Sequence, residues 1–219
     1  MKEFSKKYLS ILTNELAGIN LTRINDDEEE FYYKQIFDSI EPLEKSKVFQ
    51  ECLAKTKTMV DIGFGGGFPI LPLAHTNKDC KFLGMEARGK KAKAVDKIRE
   101  HLAIENAQLL HRRFETVNFD QDCVVTFKAV GRIEDLLPQF TTKKNLYVFF
   151  YKGPNFHELE DVKVVEKDWE LIEEISIDVP YTEGRLLIGF KNKNVLRGTS
   201  LGPKGKKVNK DLVNLTDLL

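Results

Sequence analysis

The sequence predicts an α/β fold, a mostly parallel twisted sheet with one antiparallel edge strand, wrapped by helices and preceded by a helical cap. Three features point to it. From Thr58 onward, short apolar runs alternate with helix-like stretches. The first of those runs ends in a glycine cluster, Gly63–Gly67. The last two runs, Trp169–Val179 and Arg185–Lys191, have no helix between them and so form an antiparallel pair.

Tyr8, Leu9, Ile11, Leu12, Leu16 and Ile19 recur at helical spacing, predicting a first amphipathic helix that ends near Gly18. A second helix is expected over Glu28–Ile40, with Phe31, Ile36, Phe37 and Ile40 inward. The acidic run Asp26–Glu30 sits at its start, and Pro42 follows where a helix would stop. Residues 1–57 thus read as a helical cap. Strands are expected at Thr58–Ile62, Cys80–Glu86, Gln108–His111, Asp122–Phe127 and Asn145–Tyr151. Gly89–Ala103 reads as a lysine-rich helix, and a further helix follows Pro154. Residues 58–192 then form the core and 193–219 a basic tail with Lys204, Lys206, Lys207 and Lys210.

Bulk properties exclude several classes. The 219 residues suffice for one α/β domain and a modest appendage. Basic and acidic residues balance at 34 each, so global charge does not point to a nucleic-acid partner, although Lys90, Lys91, Lys93, Lys97 and Arg99 form a local basic stretch. The three cysteines, Cys52, Cys80 and Cys123, are far apart, with no zinc-type spacing, so no metal is expected. Neither a leader nor a membrane-spanning run is found, and the expected compartment is the cytoplasm.

The chemistry lies in Asp61–Phe68. Gly63, Gly65 and Gly67 alternate directly after a buried strand, where glycine reaches backbone angles closed to other residues and lets a ligand approach the main chain. A dinucleotide fingerprint would need glycine at the sixth position, which is Phe68, and no Gly-Lys-Ser/Thr follows to make a P-loop. The fit is to an acid-x-Gly-x-Gly-x-Gly loop for a cofactor with a cationic amino-acid end and no pyrophosphate. Asp61 would order the loop and help hold the ammonium. Glu86 ends the second strand about 20 residues after Gly63, where an acid grips ribose hydroxyls. Phe114 and Glu115 follow the third strand, where an adenine would lie. Together these favour an adenosyl cofactor without phosphates.

The chain resembles the small-subunit ribosomal RNA guanine-N7 methyltransferases, also known as the glucose-inhibited division protein B family. Asn20–Thr22 followed by Ile36–Ile40 is similar to an N-terminal signature of that family, and Asp61–Pro69 with Pro72–Ala74 to its cofactor loop. Glu86–Lys91, Arg113–Glu115, Lys128–Val130, Lys152–Gly153 and Arg185–Ile188 match further motifs in order, so the resemblance covers roughly residues 8–192. Gln35 stands where the family has histidine, Glu15 where it has tryptophan, and Lys128 where it has arginine, whose planar fork lysine lacks.

The resemblance implies a Rossmann-like class I methyltransferase fold and S-adenosyl-L-methionine as cofactor. It places Gly63, Phe68, Phe114, Glu115 and Lys128 at that cofactor; the residue pattern adds Asp61, Gly65, Gly67 and Glu86. The implied substrate is a guanine in 16S rRNA, naked or in an assembling 30S particle, with the chain acting as a monomer. Guanine N7 carries a lone pair and no proton, so no general base is required and none is assigned. His75, His101, His111 and His157 are scattered. Arg112, Arg113, Lys128, Arg132, Lys152 and Arg185 are the candidates for the RNA side, with Lys152 and Arg185 foremost because family-like motifs place both beside the strand ends. The alternatives are a methyltransferase of the same fold acting on another RNA or a small molecule, and a non-catalytic RNA-binding scaffold with a relict cofactor site.

Overall fold

The computed structural model describes residues 1–16, 18–23, 27–193 and 212–219. Helix α1 (Lys2–Glu15) presents Phe4, Tyr8, Leu9, Ile11 and Leu12 as one buried stripe. It ends at Glu15, three residues short of the expected stop, with Leu16 still buried beyond it.

The next helical stretch starts at Asp27, whose side chain accepts the Glu30 N–H at 2.8 Å. It comprises α2 (Glu28–Phe31), a π-helical turn (Tyr32–Phe37) and α3 (Asp38–Lys45). Two expectations fail here. The π turn inserts a residue into the helical repeat, so Phe37 is only half-buried while Asp38 and Ser39 face inward. The helix also runs through Pro42 instead of stopping before it. The ring forfeits the bond to the carbonyl four residues back, but the Pro42 carbonyl still accepts from the Ser46 N–H at 3.1 Å. Ser46 then caps α4 (Lys47–Thr56), accepting from the Phe49 N–H at 2.9 Å. Lys57 closes α4 with φ 54°.

The sheet begins with β1 (Thr58–Ile62), at the bounds the apolar run predicts. There follow α5 (Ile70–Thr76), β2 (Lys81–Glu86), α6 (Gly89–His101), β3 (Ala107–His111), β4 (Val117–Phe119), β5 (Cys123–Lys128), α7 (Ile133–Leu136), β6 (Thr141–Thr142), β7 (Leu146–Lys152), a one-turn α8 (Phe156–Leu159), β8 (Trp169–Ile177), β9 (Arg185–Asn192) and β10 (Val213–Asn214). Seven strands form the main sheet in the order β3-β2-β1-β5-β7-β9-β8. The first five are parallel; β9 runs antiparallel to both neighbours. The sheet is therefore mostly parallel and antiparallel at one edge, with the reversed strand next to last.

Chain order reverses between β1 and β5, so their carboxyl ends flank the crevice where such sheets bind ligands. Successive residues of these strands alternate between two cores. Met59, Phe82, Val124 and Phe149 pack under α1, α3, α4, α5 and α6. Val60, Leu83, Val125 and Phe150 face Ile133, Phe140, Trp169 and Leu215. The N-terminal helices thus share one core with the sheet. A small second sheet, β10-β4-β6, is not foreshadowed by the sequence pattern. Within the segment expected as a basic tail, residues 212–219 pack back on the core, with Leu215 fully buried. Lys204, Lys206, Lys207 and Lys210 lie outside the described residues, as does Asp26 of the acidic run.

Candidate active site

The glycine loop leaves β1 with Gly63, Gly65 and Gly67 at φ 71°, 53° and 90°, angles that side chains disfavour. Their surroundings differ. A Cβ on Gly63 would lie 2.7 Å from the Val130 side chain, so this glycine lets the turn after β5 press against the loop. A Cβ on Gly65 would meet only the Gly63 carbonyl at 3.7 Å, leaving it open to a ligand. A Cβ on Gly67 would run into the Tyr8 hydroxyl and come within 2.8 Å of Val95, so this glycine seats α1 on the loop. The Tyr8 hydroxyl donates to the Gly66 carbonyl in the same region.

A cavity of about 420 Å³ opens over the carboxyl ends of β1, β2 and β3. That is within the range for small-molecule sites. Gly63, Gly65, Glu86, Phe114 and Glu115 line it together with Arg88, Lys91, Arg112, Arg113, Ala129 and Val130. Glu86 is the loop's anchor: one carboxylate oxygen accepts the Gly65 N–H at 3.0 Å and the other the Arg88 N–H at 2.9 Å. Phe114 is held by Phe127 and Phe140, with centroids at 5.7 and 5.1 Å.

Asp61 lines neither this cavity nor the next one. It is 1% exposed, and its Oδ1 accepts from the Thr126 hydroxyl at 2.8 Å. Burial pushes its carboxyl up to about 7, against the opposing pull of Thr126 and Lys128. Its Oδ2 is buried beside the loop without a hydrogen-bond partner in the protein. Glu86 therefore shares with Asp61 the ordering expected of the loop: Glu86 bonds Gly65, and the Ile70 backbone beyond the loop is among the influences that hold the Asp61 carboxyl down. Phe68 does not line the cavity either; its ring packs between Tyr8 at 4.9 Å and Phe31 at 5.9 Å, with Lys128 Nζ 6.0 Å away.

A second cavity, about 340 Å³, lies at the carboxyl ends of β5 and β7 and shares Ala129 and Val130 with the first. Its wall is charged: Asp38, Lys128, Lys152, Glu160 and Arg185 all line it. Asp38, 2% exposed, meets Lys128 Nζ at 2.7 Å on one oxygen and Arg185 Nε at 3.2 Å on the other. Lys152 Nζ donates to the Gly131 carbonyl at 2.8 Å and to Glu160 at 2.5 Å. Glu160 accepts the Ile133 N–H at 2.8 Å on its second oxygen. The pair therefore staples the turn containing Ala129 (φ 58°) and Gly131 (φ 144°).

The residues singled out by the sequence thus separate into groups. Gly63, Gly65, Glu86, Phe114 and Glu115 meet around one cavity; Lys128, Lys152 and Arg185 meet around the other. Arg112 and Arg113 belong to the cofactor-type cavity, and Arg132 is exposed, 3.8 Å from Glu134. Sequence reasoning misses Asp38 and Glu160 as site residues. Asp38 sits in a segment matched to a family motif, a signal sufficient to find it; Glu160 has none. None of the four histidines lines either cavity. Among the described residues no cluster of His, Cys, Asp or Glu could hold a metal ion, and no helix is long and apolar enough to cross a membrane.

The family model described as rRNA small subunit methyltransferase G matches residues 1–187. Proteins named ribosomal RNA small subunit methyltransferase G are similar over most of the chain. One from Lactobacillus delbrueckii is 34% identical over 168 residues, 72% of this chain and 68% of that one. One from Lactobacillus acidophilus is 33% identical over 206 residues, 87% of this chain and 82% of that one. Among solved structures, magnesium protoporphyrin IX methyltransferase from Synechocystis PCC 6803 with bound SAM matches over 85% of this chain and 96% of its own, at TM-score 0.52 and 10% identity. The mitomycin 7-O-methyltransferase MmcR matches over 84% of this chain and 60% of its own, at TM-score 0.55 and 12% identity. These two likenesses speak for the fold alone. On the family match and the relatives' identity, the chain belongs to the rRNA small subunit methyltransferase G family.

Proposed function

We propose that this protein transfers a methyl group from S-adenosyl-L-methionine to N7 of a guanine in 16S small-subunit rRNA. The observation that carries the reading is the adjacency of the two cavities, one over the glycine loop and one over β5 and β7, which share Ala129 and Val130 in their walls. The residues present suit the cofactor. A Cβ on Gly65 would meet nothing but the Gly63 carbonyl, and the buried Asp61 Oδ2, behind the loop, is an acceptor that a water bridging to an ammonium would satisfy. Glu86 has lone pairs left for ribose hydroxyls, and Phe114 and Glu115 stand where the adenine would lie.

When bound, the cofactor supplies an electrophilic methyl group on a sulfonium. The chain's own part is to hold and align. Glu86 fixes the loop through Gly65, and the Lys152–Glu160 staple fixes the Ala129–Gly131 turn between the two cavities. The Asp38 bridge holds Lys128 and Arg185 across the acceptor side. Because N7 has no proton to lose, this positioning suffices without a general base. N7 faces the deep, narrow major groove of A-form RNA, so the target is an unpaired or splayed guanine. The working unit in this reading is a monomer in the cytoplasm, and the substrate is rRNA, naked or within the 30S particle.

Tritiated methyl transfer from S-adenosylmethionine to 16S rRNA and to 30S particles, with nucleoside analysis, tests the proposal. Label in 7-methylguanosine supports it. Cofactor binding without label on either substrate form would move the reading to another acceptor, and no cofactor binding would favour the relict-site scaffold.

A further inference from the structure

The cations near the site fall into two populations. Lys128 and Arg185 are spent on Asp38, and Lys152 on Glu160, each pair within 3.2 Å. Arg88, Lys90, Lys91, Lys93, Arg112 and Arg113 have no ion-pair partner among the described residues. The unpaired set is contiguous. The Arg112 N–H donates to the Glu86 carbonyl at 3.0 Å, which lays the end of β3 beside the end of β2. His111 Nε2 lies 3.1 Å from the Ala87 carbonyl, and a Cβ on Gly89 would sit 3.1 Å from the His111 ring, so the start of α6 rests on the end of β3.

The start of α6 also breaks a local rule. Its first turn holds no acid and carries Lys90 and Lys91. Cations there oppose the positive end of the helix dipole, and an intramolecular purpose would place acids instead. The arrangement concentrates positive potential on one exposed face, beside a cavity whose proposed cofactor has no phosphates to consume it.

We propose that this face, the start of α6 with the end of β3, is the track for the phosphate backbone of the substrate RNA, and that Lys152 and Arg185 are internal braces rather than RNA contacts. The inference rests on the RNA-methyltransferase reading above. Phosphates release counterions when they meet unpaired cations, whereas an ion-paired lysine must first lose its carboxylate.

The experiment uses the full chain with two exposed lysines that do not line the cofactor-type cavity neutralised, Lys90→Gln with Lys93→Gln. A third change, Arg113→Gln, is then added at the end of β3. A control variant neutralises Lys143 and Lys144 at the opposite, amino-terminal end of the strands. Binding of 16S rRNA fragments is followed against salt, and cofactor binding by calorimetry. The track predicts RNA binding roughly tenfold weaker in the triple variant, with the salt slope lower by about 0.7 for each single-strand phosphate no longer engaged. The double variant shows part of that loss, while its cofactor affinity and melting temperature stay at wild-type values. The control leaves the slope unchanged. Equal slopes for the triple variant and wild type, or an equal loss in the control, overturn the track while leaving the methyl-transfer reading intact. Absence of binding by the wild-type chain to 16S rRNA fragments and to 30S particles alike overturns both.

Discussion

Asp38 Oδ2 and Lys128 Nζ stand 2.7 Å apart, while the same carboxylate's other oxygen takes Arg185 at 3.2 Å. One buried acid thereby joins a helix of the N-terminal layer to the end of β5 and the start of β9, and it does so in the wall of the second cavity.

Removing that acid leaves two facing cations without a partner. Asp38→Ala is expected to cost roughly 2–4 kcal/mol in urea unfolding, below the full penalty of a buried pair because Arg185 reaches solvent. Lys128→Arg keeps the charge and should fold at near wild-type stability. A loss below about 0.5 kcal/mol for Asp38→Ala would mean that the bridge is a surface-type pair.

Asp61 sets a pH dependence with a definite sign. Its folded-state carboxyl lies near 7, above its ordinary value of 3.8, so between those values the folded chain holds a proton that the unfolded chain has released. Stability contributed by this group is therefore fully present below about pH 4 and falls as pH rises toward 7. The fall is at most about 4 kcal/mol. Asp61→Asn should remove this component, and urea titrations at pH 5 and pH 8 on both proteins would check it.

Two glycines of the same loop should separate stability from binding. Gly67→Ala drives a methyl against Tyr8 and Val95, and the melting temperature should drop by several degrees, equivalent to about 2–4 kcal/mol. Gly65→Ala adds only the strain of a side chain at φ 53°, about 1 kcal/mol, and its main effect should be weaker cofactor binding by calorimetry.

Glu86→Gln places an amide where two backbone N–H groups need acceptors, so one of the Gly65 and Arg88 bonds is lost. Cofactor affinity is expected to fall about 10–100-fold, with a stability cost near 1–2 kcal/mol. Unchanged affinity would remove Glu86 from the cofactor site.

Most of the fold is legible in the sequence because the buried strands are short, apolar and separated by turn residues. Thr58–Ile62 is found at its expected bounds, and the other parallel strands of the main sheet within a residue. The π turn at Tyr32–Phe37 is not legible: its extra residue shifts the inward face, burying Asp38 where regular helical spacing points Phe37 inward. The β10-β4-β6 sheet escapes because strands of two or three residues carry no periodicity. Gly63, Gly65, Glu86, Phe114 and Glu115 meet in one cavity as the loop pattern and its acid partners suggest. Phe68 and Gly67 pack against Tyr8 of α1 and do not line that cavity, a placement that motif spacing does not encode. The contacts of Lys152 with Glu160 and the Gly131 carbonyl are likewise not legible in the sequence, because they form only in three dimensions.

Methyl transfer to guanine N7 of 16S rRNA would leave its clearest trace in the modified nucleosides of a strain lacking this chain, mapped by mass spectrometry. Loss of one 7-methylguanosine from 16S rRNA is expected, restored by the wild-type chain and not by Glu86→Gln. An unchanged 7-methylguanosine content in the deleted strain would contradict guanine-N7 transfer by this protein.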